Sequence, residues 1–443
     1  MSNRKFIIVT QLHEESNRCL IEYMEFSRRE YGKALRETFY ASKHCGFNKS
    51  KYNTYLQRKY GIVSRTANSI ISDAQGRFNA LKGLKEYERK QLERKIKYLE
   101  DSVIPKLVEK RNQNSTKLRE GVSISLVQQR NLRLRVVAKK AKLNRLKQKL
   151  SVLRYQLETG RLKLCFGTKR LLKQDYKKFT EHRDSQMTFV GAKNEAACNQ
   201  VLQLTYNRRS NQFLIRLRKD FGGYKSAKGE DRYARGKVYF NYQKGQIASI
   251  LRSKASPLSY RIIKKNGRYY LCCIFEFQAE SKDFVTRFSY GTIGLDFNKG
   301  FVTLSETNQY GHLVQTQFLP YRFKSGNKTK TDLQSIASHV VGLALRRGKD
   351  VCIENLDFRA KKAKTEANQG KKYNAMLHSL AYREFSEVME SVTFRNRVRL
   401  NKVNPAWTSW LAERIYCTPM KLNIHTGASY VVARSGQGYK DAV

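Results

Sequence analysis

The order of patterned segments after residue 289 constrains the fold more than any other feature. Three apolar runs come first and close together: TIGLDFN (292–298), FVTLSE (301–306) and HLVQTQFL (312–319). Each reads as a strand. A helical pattern follows, TDLQSIASHVVGLALRRG (331–348), then a strand, DVCIENLDF (350–358). The basic, apolar-poor stretch RAKKAKTEANQGKKYN (359–374) precedes a helix, LHSLAYREFSEVMESVTFRN (377–396). A fifth strand, VRLNKVNP (398–405), leads to a last helix, NIHTGASYVVAR (423–434). The order is β-β-β-α-β-α-β-α. Three antiparallel strands followed by crossover helices set strands four and five on the far side of strand one, so that strand four lies beside strand one.

That order is the one an RNase H-like fold uses, and it gives meaning to two acids. Asp296 stands at the end of the first strand and Glu354 at the end of the fourth. Two carboxylates brought close are costly unless a cation sits between them. Mg²⁺ does that, and two such ions can clamp the attacking and leaving oxygens of a phosphodiester. A third ligand is expected from the last helix, where His425 stands. Imidazole suits Mn²⁺ better than Mg²⁺. The alternative for His425 is a helix-start residue packed near the sheet. Glu413 and Asp441 are the substitutes if the chain folds back.

Charge points to a polyanionic partner. The chain has 443 residues with 87 Lys+Arg against 37 Asp+Glu, a net charge of +50. Residues 1–288 carry 64 basic and 25 acidic groups, and 289–443 carry 23 and 12. Such an excess repels itself unless nucleic acid or another polyanion neutralises it. No long apolar segment invites a membrane instead. Apolar content of 40% supports real cores.

Upstream, residues 1–15 read as a strand and 16–161 as a helical lobe. The lobe contains a long helical hairpin, Leu81 to Leu157, with a break expected at NQNSTKLREG (112–121). One arm, Arg130–Leu150, carries nine basic residues and no acid: Arg130, Arg133, Arg135, Lys139, Lys140, Lys142, Arg145, Lys147 and Lys149. Solvated helices usually mix signs, so this arm is expected to contact nucleic acid. Residues 162–288 turn to short alternating runs and read as a β-barrel, with a hairpin at Asn266-Gly267. The eight cysteines form no CxxC pair, so no zinc ribbon is indicated. The opening residues lack a signal-peptide core, and a cytoplasmic, reducing setting is expected.

Together these stretches resemble the TnpB (OrfB) proteins of bacterial insertion sequences, the RNA-guided nucleases related to type V CRISPR effectors. IGLDFN is similar to the first RuvC motif, CIENLDF to the second, and VNPAWTSWLAERIY with NIHTGASYVVAR to the third. FVGAKNEAACNQ (189–200) is similar to a run of one branch of that family. Asn404, Pro405, Trp407, Thr408, Ser409, His425, Ala433 and Arg434 match the end of that branch. The resemblance covers essentially the whole chain. It implies an α+β multidomain protein: a helical recognition lobe, a wedge-like β-barrel, and a RuvC nuclease domain over 289–443. It implies a guide RNA and a double-stranded DNA target, with pairing reading the sequence and the protein reading shape and a short adjacent element. The implied metal is Mg²⁺ or Mn²⁺ on Asp296, Glu354 and His425, with no zinc. Most members have an aspartate where His425 stands, and a four-cysteine ribbon that is missing here. Lys361, Lys362 and Lys364 would then lie in a lid over the strand. The expected activity is RNA-guided DNA cleavage, the alternative a nuclease-inactive guided repressor. The lack of any HxH among seven histidines argues against a tyrosine transposase.

Overall fold

The computed structural model describes residues 2–43, 47–221, 232–279, 284–322, 327–355 and 381–441. They form two compact units that divide between Gln278 and Ala279.

The upstream unit opens with β1 (Ser2–Leu12) and helices α1 (Glu14–Ala41), α2 (Lys49–Tyr60) and α3 (Ser64–Tyr98). A π-helical turn, Leu99–Val103, leads into α4 (Ile104–Arg119), which packs antiparallel to α5 (Leu126–Glu158). The expected hairpin is therefore present, but its break falls at 120–125, so that only the end of the stretch 112–121 belongs to it. No Gly or Pro interrupts that stretch before Gly121. The Ser115 and Thr116 hydroxyls donate back to the carbonyls of Arg111 and Asn112, as helical residues do. The helix stops where Gly121 takes φ +80°. There Val122 N–H reaches Lys117 O at 2.9 Å and Gly121 N–H reaches Leu118 O at 3.3 Å, a Schellman ending.

The rest of this unit holds α6 (Lys169–Gln174), α7 (Tyr176–Arg183), β2 (Gln186–Phe189), β3 (Leu202–Asn207), β4 (Gln212–Arg218), β5 (Tyr233–Val238), α8 (Lys244–Ser253), β6 (Ser259–Lys265) and β7 (Arg268–Ala279). The expected closed barrel is corrected here. Among the described residues the strands make two open sheets, β1-β7-β6-β2 and β3-β4-β5. Their apolar faces are covered rather than closed: α1 packs on both β2 and β5 and buries Leu20, Tyr23, Met24 and Tyr31. The segment is also not all-β, since α8 buries Ile247, Ala248 and Ile250 at helical spacing. The Asn266-Gly267 hairpin is as expected, with both residues at positive φ between paired Lys265 and Arg268.

The downstream unit contains β8 (Thr292–Asn298), β9 (Phe301–Thr307), β10 (Leu313–Pro320), α9 (Asn327–Arg347), β11 (Asp350–Glu354), α10 (Ala381–Arg395), β12 (Leu400–Val403), α11 (Thr408–Leu411) and α12 (Ile424–Gln437). Its sheet has the order β10-β9-β8-β11-β12. β8, β9 and β10 pair antiparallel, while β11 runs parallel to both β8 and β12. Strand four does lie beside strand one.

The two faces of β8 differ in chemistry because strand side chains alternate. Ile293, Leu295 and Phe297 join Val302 and Leu304 in a core with Leu333, Val340 and Val341 of α9 and Phe385 and Met389 of α10. Each such side chain, when fully buried, contributes roughly 1.5–3 kcal/mol. The opposite face carries small and hydroxyl residues and takes α12 at close range. A Cβ on Gly294 would meet Ser429 O at 2.2 Å, so only glycine admits the helix there. Thr292 donates to Ala433 O at 2.6 Å, Thr303 to His425 O at 2.9 Å and Ser305 to Thr426 O at 3.1 Å. These bonds fix the register of α12 on the sheet, and with it the position of His425.

Candidate active site

Asp296 belongs to the α12 face of β8, one residue past Leu295, which pairs with Ile353 of β11. Glu354, the last residue of β11, follows Ile353 and so comes level with Asp296, which lies two residues before the end of β8. Residues in register also point to the same face, so both carboxylates belong to the side that carries α12.

Asp296 is 9% exposed. Its Oδ2 accepts from Asn298 Nδ2 at 2.7 Å and lies 3.4 Å from His425 Nδ1. Burial pushes its carboxyl above the ordinary aspartate range, and the Asn298 amide and His425 pull in the other direction. Among the described residues no lysine or arginine pairs with it. His425 sits in the first turn of α12, where the Asn423 side chain accepts from the His425 N–H at 3.1 Å and the Thr426 N–H at 2.9 Å. That cap holds the turn. The Phe301 ring meets the imidazole edge-on, with centroids 5.1 Å apart.

Glu354 is held differently. The Thr408 hydroxyl donates to its Oε1 at 2.6 Å. Thr408 is the neighbour of Glu354 that the sequence pattern left without a role, although it stands in the stretch VNPAWTS. The signal was present in the pairing: Glu354 is in register with Val403 of β12, so the residues just after Val403 emerge beside Glu354. Asn298, two residues beyond Asp296 on the same face, was missed in the same way.

The structure brings Asp296 and His425 into contact and Glu354 to the neighbouring strand end. Among the described residues, however, no three His, Cys, Asp or Glu side chains are grouped closely enough to hold a metal ion as they stand. Asp441 is not a substitute ligand. It makes a double contact with Arg434 at 2.7 and 3.0 Å, at the far end of α12. Nine residues of helix, about 14 Å, separate Arg434 from His425. Glu413 is exposed.

On the basic arm, Arg130, Arg133, Arg135, Lys140, Lys142, Arg145, Lys147 and Lys149 are exposed and Lys139 is half-buried. Lys147 is partnered by Glu100 at 2.6 Å. Lys139, Lys142, Arg145 and Lys149 line one shallow groove with Ala138 and Leu146. Lys361, Lys362 and Lys364 lie outside the described residues. No helix among the described residues is long and apolar enough to cross a membrane.

No family model matches the chain, and no curated protein matches it. Among solved structures it is similar to the crystal structure of the Cas12i1 R-loop complex after target DNA cleavage. The likeness has a TM-score of 0.23 and 11% identity, over 88% of this chain and 50% of that one. The chain thus spans about half the length of that neighbour, and a likeness of this degree carries no argument about function.

Proposed function

We propose that the chain is an RNA-guided DNA endonuclease whose downstream unit hydrolyses phosphodiester bonds with divalent-metal assistance. The observation that carries the reading is the placement of Asp296 and Glu354 on neighbouring parallel strands, on one face, with His425 3.4 Å from Asp296. The strand order around them is that of an RNase H-like domain. The TnpB resemblance of the three motifs supports the same assignment.

The donor set fits a hard cation. Two carboxylates supply oxygen ligands, and Asp296 is a buried acid with no lysine or arginine partner among the described residues. Asp296 and Glu354 would hold the ion, Mg²⁺ or Mn²⁺, with His425 as the third ligand. A divalent cation there supplies the charge that draws in a phosphodiester and offsets the charge building on its oxygens. Thr408 orients the Glu354 carboxylate, as partners of ligand side chains commonly do. Asn298 and His425 orient Asp296. The reaction adds water across a P–O bond, and no covalent protein intermediate is needed. The upstream basic arm would hold guide RNA and its heteroduplex by phosphate contacts.

A second reading is a guided DNA-binding repressor without cleavage. It is favoured by one observation: the three side chains do not stand as a ready ligand group. Sequencing of RNA that co-purifies with the protein, followed by a cleavage assay, separates the readings. A discrete RNA ending in a variable guide of about 20 nucleotides, with Mg²⁺- or Mn²⁺-dependent cleavage of matching DNA, supports the nuclease. The same RNA with target binding but no cleavage under either metal supports the repressor. Bulk cellular RNA overturns both.

A further inference from the structure

The chain contains two tryptophans, Trp407 and Trp410, and both flank Thr408, the residue whose hydroxyl holds Glu354. Trp407 immediately precedes Thr408, whose hydroxyl holds Glu354. Trp407 is 71% exposed and Trp410 42% exposed. Large aromatic rings usually bury most of their surface, so two exposed ones together need a reason. Their rings meet edge-to-face, with centroids 5.9 Å apart, and the Arg414 guanidinium lies 5.7 Å from the Trp410 ring centre.

The segment that carries them is firmly seated. Thr408 and Ala412, four residues apart, are buried, and Ala412 packs with Ala428 and Val431 of α12. A Cβ on Gly427 would come within 3.0 Å of both Cys417 Sγ and the Ala412 methyl, so helix and segment are in close contact. Trp407, Trp410 and Arg414 recur at spacings of three and four on the other side, which faces solvent. Trp407 also holds φ +68°, an uncommon backbone conformation for a bulky side chain. The rings are therefore displayed by a fixed scaffold.

We propose that Trp407, Trp410 and Arg414 form a stacking platform for an unpaired base of the nucleic-acid strand entering the candidate site. Aromatic rings flanked by a guanidinium bind single strands by stacking and cation–π contact, without sequence preference. An apolar protein partner would use the rings without needing the arginine. Between residues 407 and 421 the cations Arg414 and Lys421 outnumber the one acid, Glu413. The platform rests on the nuclease reading for its purpose, and Trp407 and Trp410 are positioning residues rather than catalytic ones.

Because these are the only tryptophans in the sequence, intrinsic tryptophan emission of the full-length protein reports on this place alone. The probes are an oligothymidylate and an abasic strand of equal length and charge. The expected result is saturable quenching by the oligothymidylate and little by the abasic strand, although both bind by charge. Trp407→Gly keeps the left-handed backbone available while deleting the ring. It is expected to weaken single-strand binding roughly tenfold relative to the abasic control, and Trp407→Phe is expected to restore most of it. Equal quenching by both strands, or none, overturns the platform and leaves an apolar docking surface in its place. A base-dependent quench in a protein that cuts nothing retains the platform and removes the nuclease reading. Cleavage by a protein that shows no such quench does the reverse.

Discussion

Two buried acids of one sheet have opposite surroundings. Glu306, near the end of β9, is 1% exposed and paired directly with Lys349, itself 10% exposed. Gln315 adds a donor at 2.6 Å, and Arg347 lies 3.8 Å away. Asp296 on β8 is 9% exposed and, among the described residues, has only the Asn298 amide and the His425 ring. The first charge is answered within the protein and is part of the fold. The second has no lysine or arginine beside it among the described residues. An isolated buried carboxylate is costly, and a chain keeps one where a cation or substrate completes it. Burial alone therefore does not separate the two; the lack of a lysine or arginine partner among the described residues is what sets Asp296 apart from Glu306.

This contrast can be broken by exchange of roles under mutation. Asp296→Asn and Glu354→Gln are each expected to lower DNA cleavage by roughly 10³-fold or more, on the scale of losing a group that stabilises developing charge. For Asp296→Asn the melting temperature should stay level or rise, because an uncharged side chain replaces a buried carboxylate. Lys349→Met is expected to do the opposite. Stranding Glu306 costs about 3–5 kcal/mol of stability by chemical denaturation, with cleavage per folded molecule unchanged. The double change Glu306→Leu with Lys349→Met should recover most of that loss, since a buried pair is replaceable by apolar groups. Thr408→Val is expected to raise the metal concentration for half-maximal cleavage by about tenfold, the usual scale for a partner of a ligand. The smallest effect is thermal: saturating Mg²⁺ or Mn²⁺ should raise the melting temperature of wild type and of Lys349→Met by a few degrees, on the scale of about 1–2 kcal/mol of binding linkage. Asp296→Asn should not respond. A rise in that variant would place the ion elsewhere.

The downstream unit was legible in the sequence because its rules are local and cumulative. Continuous apolar runs marked β8 and β11, and crossover handedness left one sensible place for β11. Asp296 and Glu354 then came onto neighbouring strands as a consequence of the register. Thr408 was harder to see, since its role depends on β12 lying beside β11 in register, which composition does not encode. The upstream unit was less legible. Alternating runs such as VLQLTYN and QFLIRLR announced strands but not whether a sheet closes, and α1, an element distant in sequence, covers the faces a barrel would have enclosed. The stretch 112–121 looked like a break because its Asn, Ser and Thr favour loops, yet the Ser115 and Thr116 hydroxyls bond within the helix, which runs on to Gly121. For Asp441, only the structure shows that Arg434 engages it.

The most direct test is cleavage of a matched double-stranded target by protein purified with its own RNA, in Mg²⁺ and in Mn²⁺, comparing wild type with Asp296→Asn at equal target occupancy. Cutting by wild type, with the variant bound to the same target but silent, is the predicted result. Cutting by Asp296→Asn at the wild-type rate contradicts the assignment of the site.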